Sequence, residues 1–143
     1  MRHEDEWMRY HAPDDRTVLD DPTPEVMEAV LRTSPHSYWQ QGGNGEAILD
    51  VGPGEASLWI KQPEAGRFFL TYSVPPADWL VPYTGGSCEE FVPDERGGDS
   101  FLIPRACLVD VDQAAEVVRA FLLTRQPSPA VRWCYWHELP IPG

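Results

Sequence analysis

Basic residues are scarce in this chain of 143 residues: 11 Lys and Arg stand against 23 Asp and Glu, a formal net charge of −12. A surface with that balance repels phosphates, so direct binding of nucleic acid is disfavoured. Long apolar runs are missing too. None approaches the roughly 20 residues that a membrane-crossing helix requires, and the opening MRHEDEWMRY has neither the apolar stretch nor the cleavage site of a secretory signal. The expectation is a cytosolic chain with no membrane partner. Cysteine is limited to Cys88, Cys107 and Cys134, an odd number without metal-ligand spacing, which predicts free, mostly buried thiols and no metal site.

Catalytic signatures are absent as well. No GxSxG elbow is present, and His3, His11, His36 and His137 are scattered without HExxH or i, i+4 pairing. Cys134 and His137 are three apart in a strand-like run, which points them to opposite faces. Glu89-Glu90 sits in a Gly- and Pro-rich stretch where adjacent acids are usually solvated, not arranged as an acid–base pair. The GGNG and GPGE stretches lie between strand-like runs with no helix following, so neither is expected to cradle a phosphate. These readings predict a protein without catalysis and without a cofactor.

What the chain does have is a well-specified folding unit from Asp99 to Trp136. Phe101-Leu102-Ile103 and Ala106-Cys107-Leu108-Val109 have strand length and are separated by Pro104, which removes a ladder donor. Asp110 is placed to cap a helix, with Gln113 three residues on to complete a capping box. Val111, Ala114, Ala115, Val118, Phe121 and Leu122 then recur at helical spacing, and Pro127 and Pro129 end the helix. Val131-Arg132-Trp133-Cys134-Tyr135-Trp136 has the β-branched and aromatic character of a strand.

Upstream, Thr23 and Pro24 mark the start of a shorter helix whose apolar face is Val26, Met27, Val30 and Leu31. Ser37-Tyr38-Trp39-Gln40, Ala47–Val51, Ala56–Ile60 and Phe68–Tyr72 follow at regular spacing with turn clusters between them, predicting an antiparallel meander. Residues 75–98 are mostly loop. The expected fold is α+β, a curved antiparallel sheet of about five to six strands with two helices packed on one face. One domain spans 1–143, with residues 1–15 as an N-terminal arm that Trp7, Met8 and Tyr10 could dock onto the body.

The ordered features resemble the Imm-type immunity proteins of bacterial polymorphic toxin systems, in particular the family paired with nucleic-acid deaminase toxins. The likeness is carried by Phe101 to Val109, the helix ending Ala120-Phe121-Leu122, the run Thr124-Arg125-Gln126-Pro127, and Trp133 closing the next strand. In arrangement it covers about residues 16–137; the extended acidic N-terminus departs from it. The resemblance implies one job: binding a cognate toxin domain, 1:1, in the producing cell's cytosol and occluding its active site. A deaminase partner would carry a zinc-activated water, a glutamate proton shuttle and a basic surface for phosphates.

Charge distribution suggests where such a partner would dock. Residues 78–99 hold six acids and one base, whereas residues 100–143 hold four of each. The loop combines Trp79, Tyr83 and Phe91 with Glu89, Glu90, Asp94 and Glu95, aromatic faces where bases would stack and carboxylates where phosphates would lie. These seven are the candidate partner-binding residues, read from composition alone. Two readings stand beside this one: a non-catalytic adaptor or regulatory interaction domain, and a small-molecule binding or hydrolytic domain, which would need a closed apolar pocket with converging polar groups.

Overall fold

A computed structural model describes residues 7–41, 46–94 and 101–141. Its first strand, β1 (Trp7–His11), lies inside the arm expected over residues 1–15 and corrects that expectation from Trp7 onward, residues 1–6 lying outside the described residues. β1 pairs on one side with β2 (Val18–Asp20) and on the other with β3 (Glu46–Gly52), along five matched positions from Trp7↔Gly52 to His11↔Ile48. Met8 and Tyr10 are drawn in because they alternate toward the core, at 3% and 1% exposure.

The expected meander follows as β3, β4 (Ala56–Glu64) and β5 (Arg67–Ser73), antiparallel throughout. β6 (Leu80–Pro82) and β9 (Trp133–Tyr135) complete a seven-stranded sheet of order β2-β1-β3-β4-β5-β6-β9. A separate two-stranded ribbon pairs β7 (Phe91–Asp94) with β8 (Phe101–Pro104). Residues 75–98, expected as loop, therefore contain β6 and β7, whose pieces are too short to show a period. The GGNG turn and the residues flanking Gly98 lie outside the described residues.

Three helices cover one face. In α1 (Pro24–Thr33), Thr23 caps as expected, its hydroxyl accepting from the Val26 N–H at 3.2 Å; Met27 and Leu31 are buried, but Val26 is exposed. In α3 (Val111–Thr124) both halves of the Asp110–Gln113 capping box form, at 2.8 and 3.1 Å. Val117, absent from the expected apolar face, is buried with Ala114, Ala115, Val118, Phe121 and Leu122, whereas Val111 is only partly buried. Ser37–Gln40, grouped with the strands, instead forms a short helical turn, α2 (His36–Trp39). That turn drops the Trp39 ring between Tyr38 and Phe68, edge-on to each at 5.1 and 5.4 Å, so burial overrides the β-preference of the two aromatics. Helix residues meet Leu49, Leu58, Ile60, Leu70 and Tyr72 from the inward positions of the strands in a single core.

The opposite face carries a second, smaller core that the two-layer expectation does not contain. Phe69 and Val81 point to it from the sheet; Cys88, Ile103, Cys107 and Leu139 close over them. The run Ala106–Val109 is consequently not a strand. Arg105–Cys107 forms a 3₁₀ turn that turns Cys107 inward, and only Val109 bridges to the sheet, exchanging backbone hydrogen bonds with Phe68 at 2.8 and 2.9 Å. β9 is likewise shorter than the expected 131–136 run, because a 3₁₀ turn at Trp136–Glu138 folds the chain back, held by the His137 N–H on the Asp78 carboxylate at 2.9 Å.

Burial in this second core pushes the Cys107 thiol up to about 12 from its ordinary 9.0; Cys88 and Cys134 are raised for the same reason. All three thiols are free. Between those values the unfolded chain ionises Cys107 while the folded chain resists it. Its contribution is therefore whole below pH 9 and is lost as pH rises toward 12. Urea titrations of wild type and Cys107→Ala across that range should converge, the variant showing the shallower decline; parallel curves would show that the thiol is not coupled to folding.

Candidate functional site

The part of the second face left uncovered runs from β1 to β5. Because side chains alternate along strands, β3 sends Glu46, Ile48 and Asp50 outward, β4 sends Ser57, Trp59 and Lys61, and β5 sends Phe69, Thr71 and Ser73. Register sets them in rows. His11, Ile48, Trp59 and Thr71 lie side by side, as do Arg9, Asp50, Ser57 and Ser73. Trp59 is held along its strand by an indole N–H donated to the Ser57 hydroxyl at 2.9 Å. Beyond it Lys61 meets Glu46 at 3.9 Å, both side chains mostly covered.

Two hollows meet at Trp59. One, of about 400 Å³, extends toward Phe69, Pro75 and Trp79 and is mainly apolar; the other, of about 360 Å³, extends toward His11, Asp15, Ile48 and Asp50 and carries the carboxylates. At the start of β1 the Trp7 ring lies across Gly52 so tightly that a Cβ there would sit 1.9 Å from it. Arg9 stacks its guanidinium 4.4 Å from the Trp7 ring and pairs with Asp20 at 3.1 Å. The loop between β1 and β2 is fixed by Asp14, whose carboxylate accepts from the Thr17 hydroxyl and from the Thr17 and Arg16 N–H groups. Those bonds lower it to about 2. The apolar end is extended by an aromatic chain in which Trp136 lies 6.1 Å from Phe69 and 6.4 Å from Trp79.

The seven residues selected from the sequence do not form one patch. Trp79 is 46% exposed and stands where β6 begins, beside the Ser73 end of β5, and it lines the apolar hollow. Glu89 and Glu90 are exposed at the start of β7. The Glu90 carbonyl accepts from the Arg105 N–H at 2.9 Å, and Arg105 grips Glu64 with both arms at 2.7 and 3.2 Å, at the β4–β5 turn. Neither Glu89 nor Glu90 lines the hollow that Trp79 lines. Tyr83 packs against the second core and donates its hydroxyl to the Gly86 carbonyl; Phe91 is half-buried in β7. Asp94 ends β7, and Glu95 lies outside the described residues.

Sequence reasoning missed Trp59 and Asp50, because each read as an ordinary outward position of a half-buried strand. The available signal was an aromatic and a carboxylate on the solvent side of adjacent strands, which becomes informative only once the register is known. Among the described residues no three His, Cys, Asp or Glu side chains gather as a metal site, and no helix is long and apolar enough to cross a membrane. Comparison with protein-family models and with curated proteins finds no match to this chain.

Proposed function

We propose that this chain is an immunity protein, a non-catalytic inhibitor that binds a cognate bacterial toxin in the cytosol, a nucleic-acid deaminase domain being the favoured partner, and covers its active site. The observation that carries the reading is a sheet face on which the half-buried ring of Trp59 and the exposed ring of Trp79 stand beside carboxylates, on a chain of net charge −12. Such a face offers a deaminase groove what its substrate offers: flat rings to stack on and negative charge to meet its phosphate-binding cations. Features of the stretch after residue 100 that resemble the deaminase-associated immunity family support the same reading.

The test is co-expression with the product of the adjacent gene, followed by deamination assays on single- and double-stranded DNA. A 1:1 complex with deamination abolished is the expected result; no complex would turn the reading toward an adaptor domain. Glu89 and Glu90 then have a separable role. Exposed and outside the aromatic hollow, they steer encounter without being desolvated. Glu89→Lys with Glu90→Lys should slow association about threefold to tenfold at low salt and leave dissociation unchanged. Stopped-flow mixing at two ionic strengths reads both; an unchanged association rate removes these residues from the interface.

A further inference from the structure

We infer that the open face of the sheet seats an arginine-bearing loop of the partner protein, with the guanidinium against Asp50 and the apolar part of the loop against Trp59 and Trp79. The inference rests on the proposed function for who the partner is, and on the geometry of this face for where and how it binds.

Asp50 is the starting point. It sits partly buried on β3, an interior strand of the sheet, and its cross-strand neighbours are Arg9 and Ser57. Arg9 would be its natural partner, but that guanidinium is stacked over Trp7 and bonded to Asp20. Ser57 is engaged by the Trp59 indole. Among the described residues no side chain bonds or pairs with the Asp50 carboxylate. The Asp50 carboxylate is thus open to an incoming cation, which it can hold by a charge-assisted hydrogen bond.

The surroundings select the kind of cation. Trp59 borders the Asp50 hollow with an indole ring, and the hollow continues past it to Phe69, Pro75 and Trp79. Arginine matches this pairing better than lysine, because its planar, weakly hydrated guanidinium stacks on an aromatic face while holding a carboxylate. A phosphate-bearing ligand would meet the Asp50 carboxylate and be repelled. The apolar end suits an aliphatic residue next to the arginine in a protein loop, and aromatic rings that become covered at the centre of a contact are usual anchors of protein interfaces.

The probe is a blocked peptide, acetyl-Arg-Leu-Arg-Leu-amide, titrated into the full chain while the indole N–H resonances are followed, with Trp59 assigned through Trp59→Phe. The citrulline counterpart keeps the shape and removes the charge. The Trp59 indole should shift with the arginine peptide at about 1 mM, as one recognised side chain warrants, and stay still with the citrulline peptide. Asp50→Asn, its other indole signals unchanged to show that it folds, should weaken binding about fivefold or more. A motionless Trp59 signal, equal response to both peptides, or wild-type binding by Asp50→Asn overturns the inference. So does a Trp59 shift that follows chain concentration without peptide, which would place a second copy of the chain on this face.

The co-expressed complex separates the two proposals. Should the adjacent gene's product fail to bind, the immunity reading falls and the peptide titration still decides the face. Should it bind Asp50→Asn and Trp59→Ala as tightly as wild type, the face assignment falls and the immunity reading stands.

Discussion

A chain shortened to begin at Pro13 is expected not to fold. The missing piece is not a tail. β1 is the interior strand between β2 and β3, so its loss strips β2 of the strand it pairs with among the described residues and leaves β3 with an unpaired edge. It also empties the core at Met8, Tyr10 and Ala12, which are 3%, 1% and 5% exposed, and removes the Tyr10 hydroxyl from its 2.7 Å bond with Tyr38. Truncating a buried methionine costs about 2–5 kcal/mol and a buried aromatic about 3–5. Against a total stability of about 7–20 kcal/mol for a chain this long, that loss consumes most of what holds the fold. Far-ultraviolet circular dichroism and a urea titration read it directly. A shortened chain that melts cooperatively at the full-length midpoint would restore the arm description.

The second large effect is at Trp39. Trp39→Ala should lower stability by about 3–5 kcal/mol, because the fully buried ring fills the space between α2, Tyr38 and Phe68. At about 2–4 °C per kcal/mol for a domain of this size, the melting temperature falls by roughly 10 °C. Trp39→Phe should behave very differently. The Trp39 indole N–H is buried with no hydrogen-bond partner among the described residues, and an unsatisfied buried donor costs about 1–3 kcal/mol. Phenylalanine gives up volume but also removes that donor, so the two terms offset and its urea midpoint should lie close to wild type. Equal losses for the alanine and phenylalanine variants would mean that the indole nitrogen is satisfied in solution.

The two positions also show what could be read from the residues alone. Local signals were legible where chemistry is local: Thr23 and Asp110 cap helices whichever core lies beneath them, and Gln113 completes its box within the same turn. The β3–β4–β5 meander was legible because each strand is a run of five or more mostly apolar residues between turn-forming clusters. β1 was not, since WMRYH offers only two inward residues and sits behind six residues rich in charge, so its membership depends on pairing with a strand about 40 residues later. Trp39 failed for a related reason. A four-residue segment has too little length to express a period, and its helical turn is imposed by the ring that must be buried.

The site was less legible than the fold. Composition singled out residues 79–95 by crowding aromatics and acids into one stretch, yet proximity in sequence is not proximity on a sheet. Trp79 and Glu90 flank β6 and the segment after it, and these carry the chain from one end of β5 to the other. Trp59, Asp50 and Trp79, by contrast, are brought to one face by the register between β3 and β4 and by the return of the chain at Pro75. No window of the sequence contains that arrangement.

The strict alternation of β3 and β4 has a consequence for how such a protein can change. Ala47, Leu49, Leu58 and Ile60 hold the helices, while Ile48, Asp50, Ser57 and Trp59, the residues between them, touch only the open side. Neighbours along the chain thus answer to separate pressures, one set to the permanence of the fold and the other to whatever lies against the face. Substitutions in the second set should combine with near-additive, small effects on unfolding. A lineage could therefore exchange one partner for another by rewriting alternate letters of two strands, with the scaffold beneath left as it is.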